Sequence, residues 1–358
     1  MSPRQRRFML FLLGLALPGL GSTCSAFFMD RNAEAMLAKN LDWDDPLPGL
    51  VFVNQPGVTK SILPWQGYGP REKEYEAVGW TSRYGSISFS CYGRDFVAGG
   101  MNEAGLIVEE ANLTSSYGSD DGRPGISSAQ WIQLQLDLHS TVEELISHLG
   151  DLRHDSEGWH FIVGDREGDC AVIEFVNGVT NLYEGENLPY GIITNAPYES
   201  ALSHLPLDQA FGGDLDIGTG KDSYGRFVRI AAMLEDAGSP SIESAFEILE
   251  AVADQSTRRS IVYDAISGRI EWRTGRRAEA PYLSFEDLLF EPGAPTLMLD
   301  IETGSGNVAP LLLEYEEGAN RRIVDLCFPI GPFPTRDIEQ ARERIARHSR
   351  KSNFDMSQ

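Results

Sequence analysis

Short apolar runs separated by Gly, Pro, Asp or Asn fill the chain from about residue 25 to 110, at 26–29, 35–38, 50–53, 86–91 and 106–110. Runs of this length and punctuation predict strands. Asn102-Glu103-Ala104-Gly105 sits between two of them and predicts a hairpin turn. The period then changes. Residues 128–138 predict a helix, and Ser140 with Glu143 predicts a capping box for a second helix that Gly150 closes. Strand-like runs resume at 161–164, 171–175 and 191–194. Residues 227–234 are helical in character, and Ser239-Pro240 predicts another helix with a capping serine and proline at its first position. The runs 261–263, 270–272, 296–299 and 323–326 return to strand. Strands, helices, strands, helices, strands in that order imply an α+β fold of two packed sheets with helices outside. No linker divides it, and no repeat is present.

The two ends read differently from this body. Arg4, Arg6 and Arg7 precede an apolar run at 8–17, then Pro18, Gly19 and small residues up to Cys24. That run is shorter than the roughly 20 residues a bilayer span needs, and it has the layout of a secretory signal peptide over residues 1–23. Gln5-Arg6-Arg7-Phe8 also loosely fits a twin-arginine signal. The expectation is an exported protein, periplasmic or secreted, with a body at 24–335 and no stable membrane anchor after cleavage. Residues 336–358 form a charged segment expected to be a surface helix that frays into a tail.

Composition narrows the function. With 42% apolar residues the 358-residue chain has ample core material, and a net charge of −23 would repel nucleic acid and anionic membrane surfaces. Loss of the leader removes three arginines and no acid, which deepens the imbalance. The four cysteines (24, 91, 170, 327) form no CxxC pair, and the six histidines form no HxH or HExxH pattern, so no metal site is expected. At most one disulfide is open to Cys91, Cys170 and Cys327 if Cys24 must remain a thiol.

A cysteine directly behind a leader has three readings. As a lipid acceptor it would want an aliphatic residue three positions before and a small residue immediately before, where this chain has Gly21 and Thr23. It can also be an ordinary structural cysteine near the cleavage point. The third reading is an N-terminal nucleophile, in which the thiol attacks an acyl carbon and the α-amine of the same residue takes the proton. An α-amine near pKa 7.7–8.0 and a thiol near about 8.5 are matched for that transfer at neutral pH. Lys39-Asn40-Leu41-Asp42 supplies a carboxylate to orient the amine and a cation to stabilise thiolate within one strand.

Five blocks in order, Cys24-Ser25-Ala26-Phe27, Lys39-Asn40-Leu41-Asp42-Trp43, the stretch from Gly100 to Leu106, Thr194-Asn195-Ala196-Pro197 and Arg226-Phe227-Val228-Arg229, resemble the choloylglycine hydrolase family of linear amide C-N hydrolases. That family includes penicillin V acylases and conjugated bile acid hydrolases. The resemblance implies a four-layer αββα sandwich, hydrolysis of a linear amide through an acyl-thioester, no cofactor, and a homotetramer. By it, Cys24 matches the nucleophile, Asp42 the aspartate holding the α-amine, Asn195 the oxyanion-hole asparagine and Asn112 the second oxyanion contributor. Lys39 stands where the family usually has arginine, replacing a planar fork by a point charge. Arg258, in Ser256-Thr257-Arg258-Arg259, is assigned the family's late arginine, although the next strand can also be aligned there. Trp43, beside Asp42, is the aromatic placed nearest the acyl group. Seen singly, Asp42 is also a plausible solvated strand end, Asn195 a turn residue, Asn112 a loop start or sequon, and Trp43 a core tryptophan. The expected substrate is an N-acylated small molecule of the penicillin V, bile acid conjugate or acyl-homoserine lactone type. The alternatives are a binding protein on the same fold without turnover, or an acyltransferase using the same thioester.

Overall fold

The computed structural model describes residues 24–31, 33–63, 65–66, 69–70, 78–113, 122–154, 159–176, 178–275, 279–327 and 338–348. The leader call at 1–23 therefore lies outside the described residues. Among the described residues two large sheets stack. The first has seven strands and is built round β1 (Ser25–Arg31) and β2 (Glu34–Asp42), which pair antiparallel with Ser25 opposite Asn40 and Ala26 opposite Lys39. The second has nine strands, among them β3 (Leu50–Asn54), β4 (Ser86–Ser90), β5 (Gly99–Asn102) and β6 (Ile107–Asn112). The chain then forms α1 (Ser128–Leu138) and α2 (Val142–Ser147), and returns to the second sheet through β7 (Trp159–Gly164), β8 (Cys170–Val176) and β9 (Val179–Glu184). A two-residue strand, β10 (Ile192–Ile193), joins the edge of the first sheet beside β1. Helices α3 (Tyr198–Leu202), α4 (Ser223–Asp236) and α5 (Ile242–Val252) follow, of which α4 packs on β1 and β10 and α5 on β2. The first sheet is completed by β11 (Thr257–Asp264), β12 (Arg269–Arg273) and β13 (Pro281–Ser284), with β14 (Leu297–Asp300) added to the second and β15 (Gly306–Asn307) to the first. After β16 (Leu313–Glu314) in the second sheet come α6 (Glu317–Cys327) and α7 (Ile338–His348).

The layering follows from alternation along the strands. In β7, Ile162 joins the core between the sheets, while Phe161 and Val163 turn to the core under α1; in β8, Val172 and its neighbours Ala171 and Ile173 divide the same way. The order α4/α5, first sheet, second sheet, α1/α2 is the αββα sandwich. Close sheet approach needs glycine at Gly164, where a Cβ would lie 2.4 Å from the Phe28 ring. The hairpin read at 102–105 is present between β5 and β6. Gly105 takes φ +94°, and the Asn102 side chain accepts from the backbone of Ala104 and Leu106 while donating to the carbonyls of Leu136 and His139.

Several boundaries differ from the pattern. Residues 323–326 are helical, because Ala319, Asn320, Ile323, Val324 and Cys327 form one buried face of α6, a spacing that a four-residue window hides. α5 begins after Ser241, which exchanges capping hydrogen bonds with Ser244, so Pro240 precedes the cap. The box before α2 is shifted by one residue: Thr141 caps Glu144, whose carboxylate accepts from the backbone and hydroxyl of Ser140, and the helix ends at Ser147 before Gly150 is reached. At the far end, α7 buries Ile345 against Phe96 and Val324, and His348 Nε2 donates to the Ser61 carbonyl at 2.7 Å. Residues 338–348 are thus packed onto the body.

One polar contact crosses the apolar space between the sheets. Lys39 on β2 and Glu109 on β6, only 2% and 1% exposed, meet at 2.7 Å; Tyr263 on β11 donates to the other carboxylate oxygen at 2.5 Å, and Lys39 also donates to the Ala98 carbonyl. Burial alone would lower the Lys39 pKa, but Glu109, then Cys24 and Glu110, leave it raised. Burial pushes the Glu109 carboxyl up against the pull of Lys39 and Tyr263. Two donors on one carboxylate at these distances favour the charged pair at neutral pH. Gly99 makes room for it, since a Cβ there would lie 2.2 Å from the Glu109 carboxyl.

Two predictions follow from this packing. Glu109→Ala leaves a buried ammonium without its carboxylate and is expected to cost about 3–5 kcal/mol in urea unfolding, whereas the double variant Lys39→Met/Glu109→Leu loses much less; an equal loss in both contradicts a buried ion pair. The second concerns His139, whose pKa is pushed down from 6.5 to about 4 by burial and then by His148. A depressed pKa means that unfolding takes up a proton, so this stability is present above pH 6.5 and is lost as pH falls towards about 4, up to roughly 3 kcal/mol. Unfolding curves at about pH 7 and about pH 4.5 should show a steeper acid loss for the native chain than for His139→Phe, and parallel losses would refute the assignment.

Candidate active site

The register of β1 and β2 determines what surrounds Cys24. Ala26 and Phe28 face the second sheet, so Cys24, two residues earlier on the same face, points into the space between the sheets, diagonal to Lys39. Its thiol donates to the Asp42 carbonyl at 3.9 Å and is 3% exposed as a residue. Ser25 and Asn40 face the other way, toward α4 and α5, where Asn40 donates to the Leu249 carbonyl. Asp42, two positions beyond Asn40, ends β2 on that face and is 1% exposed.

Arg226 of α4 gathers the remaining parts. One guanidinium nitrogen donates to the Cys24 carbonyl at 2.7 Å and to the Ser25 hydroxyl at 2.6 Å, and the other donates to Asn195 Oδ1 at 2.8 Å. Burial lowers its pKa, opposed first by Asp42 and then by Cys24, Asp254 and Asp222. Both Asp42 and Cys24 are therefore within its electrostatic reach. A guanidinium remains protonated under such shifts.

Asn195 is held from both ends. Its Oδ1 accepts from Arg226, its Nδ2 donates to the Asn112 carbonyl at 2.8 Å, and its backbone N–H donates to Ser223 Oγ at 2.9 Å. These partners fix which way the amide points and leave the second Nδ2 hydrogen for an incoming oxygen. The loop is anchored in turn. His160 Nε2 donates to the Thr194 carbonyl at 2.6 Å, while Glu174, paired across the ladder with His160, accepts from the Tyr198 backbone at 2.7 Å.

The expected residues thus come together unequally. Cys24, Asp42, Asn195 and the Asn112 backbone converge, and Lys39 lies within electrostatic range of the thiol but spends its hydrogen bonds on Glu109 and Ala98. Trp43 is partly buried against the inter-sheet core, with its backbone N–H on the Ser256 carbonyl. Arg258 stands apart from this group. The β2–β11 register pairs Thr257 with Asp42 and Arg259 with Leu41, so Arg258 is the extra residue of a bulge. Its guanidinium donates to the carbonyls of Asp44, Asp45 and Gln255, and it lines a cavity of about 600 Å³ with Phe246, Glu250, Asp254 and Arg273. The arginine that binds the Cys24 carbonyl is Arg226. Sequence reasoning left it without a role, although it opens the Arg226-Phe227-Val228-Arg229 block. Among the described residues no group of three or more His, Cys, Asp and Glu gathers as a metal site.

Comparison with known proteins identifies the family and the fold. The profile of the linear amide C-N hydrolases, choloylglycine hydrolase family, matches residues 24–206. Penicillin V acylase of Pectobacterium atrosepticum is 27% identical over 252 residues, which span 64% of this chain and 64% of that protein. In structure, the chain resembles penicillin V acylase from Agrobacterium tumefaciens with a TM-score of 0.71 at 24% identity, over 82% of this chain and 98% of that one. It resembles a variant of conjugated bile acid hydrolase from Clostridium perfringens with a TM-score of 0.61 at 15% identity, over 79% and 98% of the two chains. A family match that starts at Cys24 and covers half of the chain, on a sandwich of the same fold, makes this chain a member of the choloylglycine hydrolase family of linear amide C-N hydrolases.

Proposed function

We propose that this chain is an exported amidohydrolase that cleaves the linear amide of an N-acylated small molecule with Cys24, exposed as the first residue when the leader is removed. The observation that carries the reading is the Arg226–Asn195–Asn112 relay beside Cys24, which presents one amide hydrogen at the thiol's end of the sandwich. In the first step the Cys24 sulfur bonds the acyl carbon, the thiol proton passes to the α-amine and then to the departing amine, and the C–N bond breaks. Water then cleaves the thioester, releasing the acid and restoring the thiol. Asp42 is assigned to hold the α-amine. The second hydrogen of Asn195 Nδ2, with Asn112, is assigned to the oxyanion.

The penicillin V acylase from Pectobacterium atrosepticum supports an acyl group with an aromatic end, which Trp43 beside Asp42 suits. The acidic surface disfavours steering of anionic bile conjugates. Periplasmic or secreted location and a tetrameric assembly belong to the same proposal, and light scattering decides the latter.

Hydrolysis of a phenoxyacetyl amide should be measured for chains beginning at Cys24 and for chains carrying an extra residue before it. Turnover is expected only from the former. Asn195→Ala is expected to lower kcat by about 10²–10³ with little change in substrate binding, the loss typical of one oxyanion donor. Equal turnover by the blocked chain would rule out the α-amine as base. Binding without turnover by the chain beginning at Cys24 would favour the non-catalytic alternative, for which Lys39 in place of arginine is the motive.

A further inference from the structure

Two cysteines outside the site are neighbours. Cys91 follows β4 and Cys327 ends α6; they are 2% and 0% exposed and belong to one apolar cluster with Leu50, Phe52, Met298 and Ile323. Their thiols are hydrogen-bond partners, and Cys327 Sγ also donates to the Pro48 carbonyl at 3.6 Å. Arg259 flanks both, donating to the carbonyls of Leu47 and Pro48. The hydrogen bond from Cys327, aided by Arg259 and Lys39 and opposed by burial, pulls the Cys91 thiol down, while Cys327 is raised. Native packing therefore brings together the two sulfurs that a disulfide would join. Cys170 differs, because burial and then Asp165, Asp169 and Asp30 drive its thiol up.

We propose that Cys91 and Cys327 form a disulfide by exchange with a small-molecule or protein disulfide, clasping the α6–α7 segment to the nine-stranded sheet. Cys91 as thiolate attacks one sulfur of the donor, forming a mixed disulfide and releasing one donor thiol. Cys327 then gives up its proton and attacks the Cys91 sulfur, releasing the second donor thiol. Two protein thiols are oxidised and one donor disulfide is reduced. Both sulfurs are buried once α6 docks, so the exchange belongs to folding, before that helix closes over the sheet. The helices it holds lie beyond the family match at 24–206, and the loop it closes takes in β5 to β16, so the cross-link restricts the unfolded chain strongly. The inference rests on the export reading only for its oxidant in the cell.

The test supplies the oxidant directly. The chain beginning at Cys24 is unfolded and refolded in glutathione buffers, quenched with acid, denatured, alkylated without reduction and weighed, with glutathione adducts resolved by mass. The expected result is two protected thiols among the four cysteines and a non-reduced digest that joins the peptides of Cys91 and Cys327, together with a higher Tm than for Cys327→Ser refolded in the same buffer. Cys91→Ser should restore alkylation at Cys327. Alkylation of all four positions under excess glutathione disulfide, or a cross-link to Cys170 or Cys24 in place of this pair, overturns the proposal. Amide hydrolysis by the reduced protein is scored separately, so failure of the hydrolase reading leaves the thiol count interpretable.

Discussion

The buried guanidinium of Arg226 is the contact on which the site depends. It joins three pieces distant in sequence: the first residues of β1, the loop that carries Asn195, and α4 itself. A charge this deeply placed is tolerable only when its donors are met and acids stand near, and here carbonyl, hydroxyl and amide oxygens accept while Asp42, Asp254 and Asp222 offset the burial. The same bonds that stabilise the charge orient the Asn195 amide, so the cost of burying Arg226 is tied to the placement of that amide.

A second buried charge, Lys39, stands where the resemblance leads one to expect arginine. An ammonium cannot reach two acceptors as a rigid fork does, and it sits where Glu109, backed by Tyr263, fixes it 2.7 Å away between the sheets. The space for this comes from Gly99 on the adjacent strand. Lys39 therefore lies within electrostatic range of Cys24, whereas Arg226 bonds the backbone carbonyl of that residue directly.

Much of the fold was legible because its strands are short, apolar and punctuated, and the β1–β2 hairpin follows from two such runs. The helical 323–326 segment was not, since four residues cannot show a period of 3.6 and the buried face runs back to Ala319. At the site, Cys24, Asp42 and Asn195 were singled out from motif blocks, and the structure brings them together round Arg226. The place of Arg258 was not legible, because a bulge between Thr257 and Arg259 breaks the two-residue alternation that any strand alignment assumes. Arg226 lay inside a recognised block, yet its role depends on a helix crossing β1, which no local pattern reports. The Lys39–Glu109 pairing spans two sheets and was equally out of reach.

The central claim is that the Cys24 sulfur forms the bond to the acyl carbon. It is tested most directly by acid-quenching the protein that begins at Cys24 during turnover of a phenoxyacetyl amide and mapping the acyl adduct by mass. The account predicts a single hydroxylamine-labile acyl group on the N-terminal peptide at Cys24, absent from Cys24→Ala. An acyl group on Cys91, Cys170, Cys327 or any serine, or turnover undiminished in Cys24→Ala, would contradict it.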